Sequence, residues 1–118
     1  MQAAASAAEI AEAVASGKVS AVHVVEATLR RIGERDKALN AFTAVTGARA
    51  LARARAVDAE RAAGRPLGVL AGVPFAAKNL FDVEGLATLA GSKINRDRPP
   101  EDPPVIRVTS CGLREGPK

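Results

Sequence analysis

Tryptophan and tyrosine are absent from this chain, phenylalanine occurs three times, and cysteine and histidine occur once each. With so few aromatics, a core has to be assembled from Ala, Val, Leu and Ile. Cys111 alone excludes an internal disulfide and any multi-cysteine metal site. His23 alone argues against a zinc cluster or a Ser-His-Asp triad. No apolar run approaches the roughly 20 residues that a membrane-spanning helix needs. The N-terminus, Met-Gln-Ala-Ala-Ala-Ser, lacks the basic segment ahead of an apolar stretch that marks a secretory signal. These absences predict a cytoplasmic protein with no membrane partner.

What remains is ordinary for a globular protein: 118 residues, 47% hydrophobic and 25% charged, enough for one domain at most. The formal charge of +4 and a sequence pI near 9.8 raise the question of nucleic acid. The basic residues are scattered, and no run of them lies beside stacking aromatics. Nucleic acid is therefore not expected as a partner.

Three helices are predicted first. Ser6 and Glu9 have capping-box spacing ahead of a helix to about Ala15, with Ile10 and Val14 on one face. Ser20 is a candidate N-cap for a second helix, whose stripe Val22, Val25, Leu29 and Ile32 faces inward. Its other side, Glu26, Arg30 and Glu34, is a ladder of charges four apart that suits water. Gly33 lies near the predicted end, and Ala41–Val45 reads as a short strand or extended stretch. From about Gly47 to Ala63 an Ala- and Arg-rich segment has high helix propensity. There Ala50, Leu51, Ala54 and Val57 face a partner while Arg49, Arg53 and Glu60 stay wet. Gly64 and Pro66 end it.

From Gly68 to Ser92 the chain is punctuated by glycine around an apolar segment, Val73–Phe81. Read as a strand, this segment turns Val73, Phe75, Ala77, Asn79 and Phe81 one way, and Pro74, Ala76, Lys78 and Leu80 the other. A lysine then stands among small apolar neighbours. Two explanations compete. The stem can pack while the ammonium reaches water or Asp82, or burial can turn the amine into a base able to activate a hydroxyl. Periodicity does not choose between them. After Arg98 the composition changes, and five of the seven prolines (99, 100, 103, 104 and 117) fall in the last 20 residues. Only Val105–Val108 has strand character there, and the stretch is expected to be disordered.

A resemblance bears on Lys78. Pro66-Leu67, then Gly72-Val73-Pro74-Phe75-Ala76-Ala77-Lys78-Asn79, Asp82-Val83-Glu84-Gly85-Leu86-Ala87-Thr88 and Ala90-Gly91-Ser92 resemble the first conserved block of the amidase-signature family. Ser16–Ala21 and Asn40-Ala41-Phe42 are similar to that family's N-terminal region, so the likeness runs over about residues 8–100. Most members have Asp after the lysine, where this chain has Asn79. With Ala90–Arg96 and Pro99-Pro100, that departure resembles the group of 1-carboxybiuret hydrolase catalytic subunits.

The resemblance implies an α/β fold: N-terminal helices plus the first strand or strands of a mixed sheet covered by helices, incomplete in this chain. Residues 1–100 would be the N-terminal part of an amidase-signature domain, and residues 101–118 an aberrant tail. It implies amide C–N hydrolysis by a Ser–cis-Ser–Lys triad with Lys78 as the base, no cofactor, and a small amide as substrate. A small companion subunit or a homo-oligomer is implied by the same analogy. Both catalytic serines of the family lie downstream, the nucleophile in a Gly- and Ser-rich segment. Here the serines are residues 6, 16, 20, 92 and 110, and no Gly-Gly-Ser-Ser-Gly run occurs. The expectation is an N-terminal piece, cut or frame-shifted near residue 100, that is inactive alone. The reading from another class is a non-catalytic helical module that docks on a partner through the second helix.

Overall fold

Ser6 opens α1 (Ala7–Ala15) with a complete capping box. Its hydroxyl accepts the Glu9 N–H at 3.2 Å, and the Glu9 carboxylate accepts the Ser6 N–H at 2.6 Å. The bond from the Ser6 N–H foremost, and then the Ser6 hydroxyl, hold the Glu9 carboxyl below the usual glutamate range. The computed structural model describes residues 4–79, 81, 83, 85–95, 97, 106–109 and 112–115. They form three α-helices, a 3-10 turn at Lys93–Asn95 and two short strands. The chain divides into two units, residues 1–74 and 75–118.

In the first unit, Ser20 caps α2 (Ala21–Leu39), its hydroxyl accepting the His23 N–H at 3.1 Å. Two further N–H groups at the start of that helix are met from α3 (Gly47–Ala62): Asp58 accepts Ala21 through Oδ1 at 2.8 Å and Val22 through Oδ2 at 3.1 Å. One carboxylate thus satisfies two donors that a helix start leaves open. α2 runs through Gly33 to Leu39, past the end predicted near that glycine. The stop is supplied by Asp36. Its main-chain oxygen accepts the N–H of Asn40, which caps the helix in the left-handed conformation, and its Oδ1 accepts Ala41 and Phe42. A single glycine weakens a helix by only about 1 kcal/mol, so a well-made C-terminus downstream outweighs it.

Val14, Ala21, Val25, Ala54 and Val57 form the buried core. Val22 and Leu29 of α2, with Ala50 and Leu51 of α3, pack around it. Three of the four stripe residues of α2, Val22, Val25 and Leu29, are therefore taken up inside the unit, which weakens the case for a free docking helix. Arg49, Arg53, Glu60 and Arg61 are half-buried, so all three residues expected to stay wet, Arg49, Arg53 and Glu60, are drawn in. Among the described residues, the Nε atoms of Arg53 and Arg61 are buried without a hydrogen-bond partner. Leu67 and Ala71 add to the core from the segment after α3. There two successive turns, Ala71 N–H to Gly68 and Val73 N–H to Leu70, bring Gly72 against Val14. Gly72 has φ +82°, and a Cβ there would stand 2.8 Å from Val14 Cγ1. No side chain fits at that approach.

Ala41–Val45, expected to be strand or extended, belongs to no strand and is exposed. The two strands that do occur lie in the second unit. β1 (Ile106–Thr109) pairs antiparallel with β2 (Gly112–Glu115), Ile106 opposite Glu115 and Thr109 opposite Gly112. A hairpin thus stands in the stretch where no regular structure is expected, one residue on from the weak strand signal at Val105–Val108. Ser110, Cys111 and the rest of residues 98–118 lie outside the described residues.

Candidate active site

Lys78 lies in the second unit, and its surroundings differ from those of a buried strand. Residues 73–78 belong to no helix or strand. A strand persists through ladder bonds to a neighbour, and these residues form none. The expected alternation of faces is accordingly absent. Phe75 is 54% exposed and Phe81 51%, while Ala76, Ala77 and Lys78 are exposed as well. The described residues put no apolar wall around Lys78. Asp82, the carboxylate that could receive its ammonium, lies outside them, as does Leu80.

What is built here is a clasp made by the next residue. Asn79 accepts two consecutive main-chain N–H groups from across the loop: Leu89 through its side-chain Oδ1 at 3.0 Å and Ala90 through its main-chain oxygen at 2.9 Å. Leu89 is held again at its carbonyl, by Asn95 Nδ2 at 3.0 Å and by the Ser92 N–H at 3.0 Å. The Ser92–Leu89 bond closes a turn whose central residues, Ala90 (φ 49°) and Gly91 (φ 72°), are both left-handed. That is the signature of a type I′ turn, for which Gly is well suited and Ala is not. On the other side, the Lys78 carbonyl accepts the Phe81 N–H at 3.1 Å. The Lys-Asn and Ala-Gly-Ser pieces of the sequence block are thus one hydrogen-bonded unit. From sequence, Asn79 stands out only as a departure from the family pattern, and Asn95 carries no role. The available signal was that both are short amides beside turns, the residue type that bonds local backbone.

The described serines are all engaged in local structure. Ser6 and Ser20 cap helices, and Ser16 Oγ donates to the Ala13 carbonyl at 3.2 Å. Ser92 Oγ accepts the Ile94 N–H at 3.4 Å. Ser110 lies outside the described residues. Among the described residues no cluster of His, Cys, Asp and Glu could hold a metal ion, and no helix is long and apolar enough to cross a membrane.

The sequence model of the Amidase family matches residues 23–108. The chain is 56% identical over 100 residues to the AtzE subunit of 1-carboxybiuret hydrolase from Pseudomonas sp. (strain ADP), covering 85% of this chain and 22% of that protein. It is 52% identical over 103 residues to a glutamyl-tRNA(Gln) amidotransferase subunit of Salinispora tropica, covering 86% and 21%. Among solved structures, a bacterial aryl acylamidase of the amidase-signature family superposes with a TM-score of 0.81 at 34% identity, over 88% of this chain and 22% of that one. A vestigial protein complex bearing on the origins of an s-triazine catabolic enzyme gives a TM-score of 0.79 at 54% identity, over 82% and 21%. The chain spans about a fifth of the length of these relatives.

Proposed function

The chain belongs to the amidase family, and from that premise we propose that it supplies the lysine base of an amide hydrolase whose serines come from further polypeptide. Lys78 is the base. As the neutral amine it takes a proton from a bridging serine, which takes one from the nucleophilic serine. The nucleophile's oxygen attacks the amide carbonyl, and the C–N bond breaks as the leaving amine receives the proton. Water then cleaves the acyl-enzyme and releases the acid. Main-chain N–H groups beside the nucleophile stabilise the oxyanion. The observation that supports this reading best is the family match across residues 23–108, which contains Lys78 in a block built as one hydrogen-bonded unit. The engagement of each described serine in local structure agrees with a nucleophile drawn from elsewhere.

The further polypeptide would complete a mixed sheet in which residues 73–78 become a strand, and would supply the walls that Lys78 lacks. The substrate class is a small amide. A 1-carboxybiuret-type compound is the first choice, because one relative at 56% identity is a subunit of that hydrolase. A companion subunit belongs to the same proposal, since two of the relatives are themselves named as subunits.

The test is to join residues 1–100 to the remaining segment of the Pseudomonas relative and assay biuret-type and simple aliphatic amides, beside Lys78→Ala. Turnover that disappears in Lys78→Ala is the expected result. Turnover that survives it would remove Lys78 from the mechanism.

A further inference from the structure

We infer that Asn79 is the positioning residue for Lys78: its two oxygens tie the lysine's neighbour to the Ala90-Gly91 turn and so set the direction in which the lysine leaves the chain. The inference rests on the reading of Lys78 as the base and adds the residue that aims it.

The physical case starts from what Lys78 lacks. Its side chain is exposed, and a lysine is a point charge on a flexible four-carbon stem. Among the described residues nothing along the stem defines where the amine sits, so in this structure its placement falls to the main chain at its root. That main chain is held at two successive residues. The Lys78 carbonyl accepts Phe81, and Asn79 accepts Leu89 and Ala90 through two different oxygens. Leu89 and Ala90 are a firm anchorage, because the Leu89 carbonyl is bonded twice and the Ala90-Gly91 pair is confined to the left-handed region. Removing the Asn79 side chain leaves the main-chain bond to Ala90 and deletes the bond to Leu89. The loop then loses a side-chain tie at this residue, which allows rotation about it. Aspartate in place of Asn79 keeps an oxygen for the Leu89 N–H, so it should preserve the aim.

Two measurements on the 118-residue chain test this without any turnover: amide exchange at Leu89, and the heteronuclear NOE of the Lys78 amide. In Asn79→Ala, Leu89 exchange should rise about fivefold, the equivalent of one ordinary hydrogen bond. The Lys78 NOE should fall, while amides in α1, α2 and α3 stay as they were. Asn79→Asp should keep both values. An unchanged Lys78 NOE in Asn79→Ala would overturn the inference, as would a rise in exchange spread through α1, α2 and α3, which would indicate a general structural role. In the joined enzyme, Asn79→Ala should lower kcat by about tenfold or more with KM within about twofold, because misaiming a base raises the barrier without weakening binding. Asn79→Asp should recover most of the loss. Full kcat in Asn79→Ala, with Lys78→Ala inactive, would overturn the inference and leave the hydrolase reading standing. Full activity in Lys78→Ala would remove Lys78 as the base, and the exchange and NOE results would still decide whether Asn79 orders its neighbour.

Discussion

The carboxylate of Asp58 on α3 accepts the main-chain N–H of Ala21 at 2.8 Å, across 37 residues of sequence. Its second oxygen takes the neighbouring Val22 N–H at 3.1 Å. One side chain therefore registers the start of α2 against the last turns of α3, beside the buried pair Ala21 and Val57. Asp58→Ala leaves two part-buried donors unmet and should cost about 2 kcal/mol, in the range of lost helix caps and charge-assisted bonds. Asp58→Asn, which keeps one acceptor, should cost less. Urea denaturation followed by helical circular dichroism measures both, and equal midpoints for Asp58→Ala and the parent would deny the cap a role in stability.

Two glycines should respond in opposite directions to alanine. At Gly72 a Cβ would meet Val14 Cγ1 at 2.8 Å and Cγ2 at 2.9 Å, with φ at +82°. Val14 is fully buried, so its side chain has no free space to yield into. Gly72→Ala should destabilise by about 2 kcal/mol or more, from overpacking and backbone strain together. Gly33 lies inside α2 with nothing within 4 Å of its Cβ position. Gly33→Ala should stabilise by about 0.5–1 kcal/mol, the helix propensity difference. Thermal midpoints of the two variants, moving apart from the parent, are the check.

The capping box of α1 should weaken in acid. Glu9 is lowered in the folded chain chiefly by its bond from the Ser6 N–H, then by the Ser6 side chain. A carboxyl whose folded pKa lies below its unfolded one contributes stability that is fully present above the unfolded value. That contribution fades as pH falls through the folded value. Exchange at the first amides of α1 should therefore quicken, relative to the intrinsic rate at each pH, as the solution is taken below the ordinary glutamate range. Glu9→Gln should remove that pH dependence. The same pH response in Glu9→Gln would assign it to another group.

Lys78→Ala should leave the melting of the isolated chain within about 0.5 kcal/mol of the parent, as for an exposed side chain with few contacts. The same substitution should abolish amide hydrolysis in the joined enzyme. A large loss of stability in the isolated chain would mean that Lys78 is structural here, and activity data from that variant would need to be read as folding data.

The local elements of this protein follow from short stretches of sequence. Ser6 with Glu9 and Ser20 before an apolar stripe suffice for the starts of α1 and α2, because a cap is made within three residues of itself. The inward faces of α2 and α3 also follow, since Val25, Ala54 and Val57 recur at helical steps. The family resemblance was legible for the same reason, its residues being contiguous in Gly72–Ser92. Tertiary structure decided the rest. That α2 continues past Gly33 depends on Asp36 gathering the N–H groups of Asn40, Ala41 and Phe42. The second cap on α2 comes from Asp58, far along the chain, and no local pattern encodes it. Val73–Phe81 alternates as a strand does, yet residues 73–78 form no ladder, because alternation expresses which faces could be buried and strand formation requires a neighbour to bond. The site follows the same division. Lys78 is named by sequence, but what holds its neighbour Asn79 is a pair of bonds to Leu89 and Ala90 that only a closed loop can make.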